Sequence, residues 1–170
     1  MLCGTRRGQP PVQRRTDSLR SNPVQRSTDL LRFDGAVEHD PAINLWFSEH
    51  SGELGVIAQR WFTVMRNCGV EVRELLHDGC PVACLGDAPF AYVNVFTSHV
   101  NVGFFHGAAL PDPAHLLQGR GKFMRHVKLQ PAAPASDATT NVATNVTNDA
   151  ALARLIAAAY SDIKSRVENG

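Results

Sequence analysis

The stretch FAYVNVFTSHVNVGFFH, residues 90–106, decides the fold. β-Branched and aromatic residues fill two runs on either side of Thr97 and Ser98, a pattern that predicts a β-hairpin. With the turn centred there, one face is wholly apolar and is predicted to cover helices: Ala91, Val93, Val95, Val100, Val102 and Phe104. The other face combines aromatic rings, amides and a histidine: Phe90, Tyr92 over Gly103, Asn94, Phe96, His99, Asn101 and Phe105.

The residues before the hairpin predict helices. Asp40 followed by Pro41 is a helix start, with Asp as the N-cap and Pro at the first helical position. Apolar residues at helical spacing then predict a second helix that ends near residues 68–69. A third, short helix is predicted through Val72, Leu75 and Leu76, closing at residues 77–79, and residues 81–85 form a short strand.

The residues after the hairpin predict a short helix, a third strand of the sheet, a linker and a final long helix. Asp112 and Pro113 predict another short helix through Leu116 and Leu117, ended by Gly119. Residues 123–129 alternate as a third strand of the sheet, and residues 131–148 form a low-complexity linker. A long amphipathic helix follows it, with apolar positions at Leu152, Leu155, Ile156, Ala159, Tyr160, Ile163 and Val167.

These elements predict an α+β fold in which helices pack on one antiparallel β-sheet, with a C-terminal helix. We expect a single domain over residues 39–168, preceded by a disordered basic tail over residues 1–38. Residues 1–32 contain seven arginines and two aspartates, a charge of +5, so the other 138 residues carry −4 of the total of +1. A mildly acidic body makes nucleic-acid binding unlikely. No stretch is long and apolar enough for a membrane span, so we expect a cytoplasmic protein without membrane contact.

A basic loop, GRGK at residues 119–122, follows the hairpin. It is not a Walker phosphate loop, since Phe123 follows Lys122 and no glycine lies at position 116. Glycines nevertheless allow backbone N–H groups to converge, and four cations lie within nine residues: Arg120, Lys122, Arg125 and Lys128. This composition suits a phosphate or carboxylate. The alternative is a solvated turn leading into an edge strand.

Two further chemistries have weaker patterns. His77, Cys80 and Cys84 provide three zinc ligands within eight residues, but their spacing matches no standard zinc module. The chain lacks the G-x-S-x-G motif, and its acids are too scattered to nominate a carboxylate pair. A reactive thiol is the remaining catalytic candidate, and a buried structural thiol is its alternative.

Several segments in order and spacing resemble the YdhG-like domain family, a family of domains of unknown function. They are Gly79-x-Pro81, FAYVNVF at 90–96, HVNVGFF at 99–105, GAAL at 107–110, the turn at 111–113, and GRGK leading to RHVKL at 125–129. The resemblance covers residues 41–130 and the final helix. It implies a compact α+β domain similar in shape to frataxin. It also implies an iron-chaperone-like role, with iron as the possible bound metal.

From residues and resemblance together we expect a non-catalytic binding protein that handles a metal ion or another small ligand. The alternatives are an anion- or phosphometabolite-binding module and a structural protein-interaction domain without a ligand. The predicted site residues are Tyr92, Asn94, His99, Asn101 and His106 on the hairpin, with Arg120, Lys122 and Arg125 for an anion.

Overall fold

The computed structural model describes residues 30–131 and 138–170, and their side chains except in 138–147. Five antiparallel strands form one sheet in the order β1-β2-β3-β4-β5, so each strand pairs with its neighbours in the chain. The strands are β1 (Val72–His77), β2 (Cys80–Leu85), β3 (Ala88–Val95), β4 (Val100–Phe104) and β5 (Arg125–Leu129). Three helices accompany them: α1 (Pro41–Glu49), α2 (Glu53–Arg66) and α3 (Ala138–Asn169). This is the predicted α+β fold.

The predicted hairpin register is confirmed. Val95 pairs with Val100, Val93 with Val102 and Ala91 with Phe104. The inner face of the sheet packs with all three helices into one core, which includes Ile43, Trp61 and Ile156. Five of the seven apolar positions predicted for the last helix are buried there. The hairpin therefore determines which face of the sheet the helices cover.

Phe90 departs from the predicted register. We expected it on the polar face, but it is 2% exposed and contacts the Tyr160 ring of α3 with ring centroids 5.7 Å apart. The β2–β3 pairing shifts between Ala83 and Cys84, so that Ala91 pairs with Ala83 while Pro89 pairs with Cys84. Phe90 is the extra residue of this bulge, and a bulge turns two successive side chains towards one face.

The third predicted helix is wrong, because residues 72–77 form β1. Asp78 and Gly79 both adopt positive φ, 48° and 73°, as the two-residue turn of a β1–β2 hairpin requires. Val72 and Leu76 pack against the main core, while Leu75 joins a smaller cluster. Residues four apart share a face in a strand as well as in a helix, so this spacing does not distinguish the two.

The helix predicted over residues 112–117 is also wrong. The Asp112 carboxylate accepts hydrogen bonds from the Leu116 and Leu117 amides at 3.0 and 2.8 Å, but only a turn forms. His115 has a φ of 54°, which ends the turn before a helix can propagate. The third strand of the prediction exists as β5, which begins at Arg125 instead of Phe123.

The two predicted unstructured segments need correction where the structure describes them. Residues 138–148 lie within α3, so the last eleven residues of the predicted linker are helical. The predicted tail includes residues 30–38, which pack on the sheet through Phe33 and pair Val37 with Glu74. We call residues 30–37 the strap. Residues 1–29 and 132–137 of the predicted tail and linker lie outside the described residues.

Among the described helices, none is both long and apolar enough to cross a membrane.

Candidate functional site

The polar side chains predicted for a site lie on the side of the sheet opposite the helices. Tyr92, Gly103 and His126 are consecutive cross-strand partners on β3, β4 and β5, and Asn94, Asn101 and Lys128 form the next row. Directly opposed residues share a face, so both rows point the same way. We define the outer face by these two rows and by Phe96 and His99 at the end of the hairpin.

Tyr92 lies flat across the sheet as predicted. A Cβ atom placed on Gly103 would be 2.1 Å from two atoms of the Tyr92 ring, so the ring occupies the space that any larger residue at 103 would fill. Burial raises the pKa of the Tyr92 hydroxyl. The hydroxyl therefore remains protonated at neutral pH, as a hydrogen-bond donor as well as an acceptor.

Asn101 has an unsatisfied polar atom at the centre of the outer face. Its Oδ1 is buried and has no hydrogen-bond partner among the described residues. Its neighbours on the adjacent strands are Asn94 and Lys128. Buried polar atoms are nearly always satisfied, because an unpaired one costs about 1–3 kcal/mol. The oxygen is covered in this structure, so a bound molecule can donate a hydrogen bond to it once a neighbouring side chain moves aside.

The outer face carries one cation, Lys128, and no acidic residue. Strands β3, β4 and β5 contain no aspartate or glutamate, and residues 113–136 contain four cations and no acid. Desolvation, with further contributions from Lys128 and His126, lowers the pKa of His99. The His99 ring also stacks on Phe96, with centroids 4.7 Å apart and an interplanar angle of 8°. The surface thus offers a positive field beside a flat aromatic pair.

Two of the three cations predicted for an anion, Lys122 and Arg125, make contacts within their own segment of the chain. Arg125 donates to the carbonyl oxygens of Gly121 and Met124 at 2.5 and 2.7 Å, so its guanidinium holds its own loop together. Lys122 lies over the Phe123 ring, with its nitrogen 4.9 Å from the ring centroid. Arg120 is exposed. These contacts favour the solvated-turn alternative for the loop.

His106 lies in different surroundings from the other predicted hairpin residues. Its ring contacts Phe123, with centroids 6.3 Å apart, and it lies in the electrostatic field of Arg166 and Asp162 on α3. Burial and then Arg166 lower its pKa, and its Nε2 atom is buried without a partner among the described residues. His106 therefore belongs to the α3 side and not to the outer face.

The described residues form neither the zinc site nor the reactive thiol that the sequence offered as candidates. His77 and Cys80 pair across the β1–β2 hairpin, but no group of three His, Cys, Asp or Glu side chains in the described ranges is placed to hold a metal ion. Burial raises the pKa of Cys68 to about 11 and that of Cys84 to about 12, and also raises the pKa of Cys80. Thiols with raised pKa values are poor nucleophiles at neutral pH.

The predicted site omitted two outer-face residues, His126 and Lys128, although Lys128 was counted among the four cations near the basic loop. The alternation predicted for residues 123–129 already placed them on one face of the strand. The alternation did not give the register between β4 and β5. That register sets Lys128 beside Asn101 and His126 beside Gly103. The signal that could have identified them was the alternation of polar side chains along residues 123–129, a strand predicted to join the same sheet as the hairpin.

Comparison of the chain with protein-family models, curated proteins and solved structures found no match.

Proposed function

We propose that this protein is a non-catalytic binding protein whose outer face takes a small anionic metabolite bearing hydroxyl groups, such as a sugar phosphate. The observation that carries the proposal is the buried, unpartnered Oδ1 of Asn101 beside Lys128 on an acid-free part of the sheet. An anion without a hydroxyl group, such as sulfate, offers only acceptors, so it would leave this oxygen unpaired. A hydroxyl-bearing anion supplies both the donor for Asn101 and the negative charge for Lys128.

The surrounding groups suit the same ligand class. Lys128 provides three donors on a flexible stem, and His126 and Tyr92 add polar groups in the adjacent row. Asn94 adds an amide on the strand next to Asn101. The Phe96–His99 pair offers a flat surface for the apolar side of a ring. Charged hydrogen bonds of this kind are the stronger class in proteins.

Membership of the YdhG-like family is part of the proposal and rests on the sequence segments given above. The α+β architecture with its closing helix supports it. The iron-chaperone-like role is not favoured, since the described residues present no three-ligand metal group. We also propose a cytoplasmic location, on the basis of composition.

The experiment is a thermal-unfolding titration with ribose 5-phosphate, beside ribose and sulfate as partial probes. A ligand at ten times its Kd adds about 1.4 kcal/mol to the folded state, or roughly 3–6 °C in Tm. We expect the full probe to raise Tm more than either part. Lys128→Ala should remove most of the shift, because it deletes the outer-face cation.

Arg120→Ala is the matched control. It deletes an exposed cation of the same acid-free stretch that lies in the loop. The shift should persist in this variant. If both variants lost the Tm shift equally, the effect would come from general surface electrostatics and not from a site at Lys128. If ribose 5-phosphate did not raise the Tm of the parent chain, the proposal would be refuted.

A further inference from the structure

The corner between α1 and α2 borders an open surface cavity lined by none of the outer-face residues. α2 begins so close to the end of α1 that a Cβ on Gly55 would lie 1.3 Å from the His50 carbonyl oxygen. Between this corner and the β3–β4 turn lies a cavity of about 430 Å³, lined by His50, Glu53, Leu54, Val95, Thr97 and Ser98 among others. We call it the corner cavity. Its volume falls within the range of about 300–1,000 Å³ that is typical of small-molecule sites.

His50 presents an acceptor in this corner. Its Nδ1 lies 2.7 Å from the carbonyl oxygen of Trp46, and a carbonyl can only accept, so Nδ1 carries the hydrogen. In the neutral ring Nε2 is then the acceptor, and it has no hydrogen-bond partner among the described residues. Stacking on the Trp46 ring, with centroids 4.0 Å apart, fixes the plane of the imidazole.

The charge around the corner cavity is negative. Glu53 is the one charged residue that lines the cavity, and it forms no ion pair among the described residues. Glu49 ends α1 and Glu53 begins α2 at this corner, and the two helices contain no lysine or arginine from residue 41 to residue 59. An anion would be repelled here. A cation would gain the Glu53 carboxylate and the field of Glu49.

We infer that the corner cavity binds a small organic cation, a primary ammonium carried on an apolar body. The ammonium has three donors, for the Glu53 carboxylate, His50 Nε2 and a hydroxyl of Thr97 or Ser98. Leu54 and Val95 provide apolar wall for the body. The site does not depend on the proposed function, because none of its lining residues belongs to the outer face and it takes the opposite charge. Ser98 Oγ also lies 3.4 Å from Nδ1 of the outer-face residue His99.

The test is an amide NMR titration of the full chain with benzylammonium, using benzyl alcohol as the neutral probe of similar size. Saturable shifts are expected at Leu54, Gly55 and Ser98, with benzylammonium binding more tightly than the alcohol. Glu53→Gln should weaken benzylammonium binding about two- to fivefold, the range for a partly exposed ion pair. Glu168→Gln, the same charge change on an exposed residue of α3, should leave binding unchanged.

Ser98→Lys is the second variant, since position 98 lies in an exposed turn and the new cation would face the ligand. It should abolish the benzylammonium shifts while the rest of the amide spectrum stays folded. The inference is overturned if the alcohol binds as tightly as the cation, if Glu53→Gln and Glu168→Gln behave alike, or if the corner amides do not shift. None of these results bears on the sugar-phosphate titration.

Discussion

Gly103 is the residue on which the outer face depends most directly. Tyr92 occupies the space above it, and a methyl group at 103 would lie 2.1 Å from the ring. Gly103→Ala should therefore lower the free energy of unfolding by about 1–3 kcal/mol, the usual cost of overpacking. This loss should exceed the small gain that alanine brings over glycine in a strand. Urea denaturation measures the change.

Gly121→Ala is the comparison for this prediction. A Cβ at 121 would lie 3.8 Å from its nearest neighbour, the Met124 carbonyl oxygen, and the position does not require a positive φ. Its unfolding free energy should stay within about 0.5 kcal/mol of the parent chain. If both alanine variants were equally stable, the Tyr92 ring would not be held against the backbone as described.

Single residues also show where sequence reasoning stops. The placement of Tyr92 over Gly103 followed from the hairpin register alone, because direct cross-strand pairs are fixed once the turn is fixed. The unpaired Oδ1 of Asn101 did not follow from it, since hydrogen-bond satisfaction depends on every surrounding group. The same is true of Arg125, whose guanidinium turns to its own loop carbonyls instead of outward.

At the scale of elements, α3 docks on the beginning of β1 through a polar cluster. Glu71 accepts from Lys164 at 2.7 Å and from the Tyr160 hydroxyl, and these bonds lower its pKa to about 2. A carboxyl whose pKa is lower in the folded state stabilises the fold above its ordinary pKa of 4.5. That stabilisation is lost progressively as the pH falls from 4.5 towards 2.

This linkage predicts a pH dependence that Glu71→Gln should reduce. The free energy of unfolding of the parent chain should fall more steeply than that of the variant as the pH drops below 4.5. Urea denaturation at several acidic pH values provides the comparison. Lys164→Met should reduce the slope as well, because it removes the first of the groups that lower the Glu71 pKa. Parallel slopes for all three chains would contradict the assigned role of this cluster.

The elements that were predicted wrongly share a physical cause. An i, i+4 apolar pair such as Val72 and Leu76 fits one face of a helix or of a strand, and only pairing with β2 decides between them. Asp112 supplies a helix-capping carboxylate, yet the left-handed His115 directs the chain into a turn. A capping residue indicates where a helix can start. Whether the helix then continues depends on the tertiary contacts of the residues that follow.

On the scale of the whole molecule, the strap closes a second apolar cluster on the side of the sheet away from the helices. Phe33 stacks on His77 at 3.9 Å and contacts Phe105 at 5.5 Å, over a cluster formed by Leu75, Val82 and Cys84. Two further attachments hold it: the Phe33 amide donates to the Asp87 carbonyl at 2.7 Å, and Val37 pairs with Glu74. The sheet is thus covered on both sides at β1 and β2.

Phe33→Ala should lower the free energy of unfolding by about 1–3 kcal/mol, as expected for a partly buried aromatic ring. It should also speed alkylation of Cys84, which is 0% exposed beneath the strap. Phe123→Ala provides the control, because Phe123 is 47% exposed and its loss should change stability by about 0.5 kcal/mol or less. Unchanged Cys84 labelling in Phe33→Ala would mean that the strap does not cover this cluster.

The sequence by itself determined the α+β class, the inner face of the hairpin, α1, α2 and the apolar stripe of the last helix. All of these depend on local periodicity and capping, which adjacent residues encode. Tertiary structure alone decided that residues 72–77 form a strand, that Phe90 turns to the core at a bulge, and that the strap packs on the sheet. It also separated His106 from the outer face, turned Arg125 to the carbonyls of its own loop, and set Lys128 beside Asn101. These outcomes depend on contacts between residues distant in the chain, whose energies local patterns do not contain.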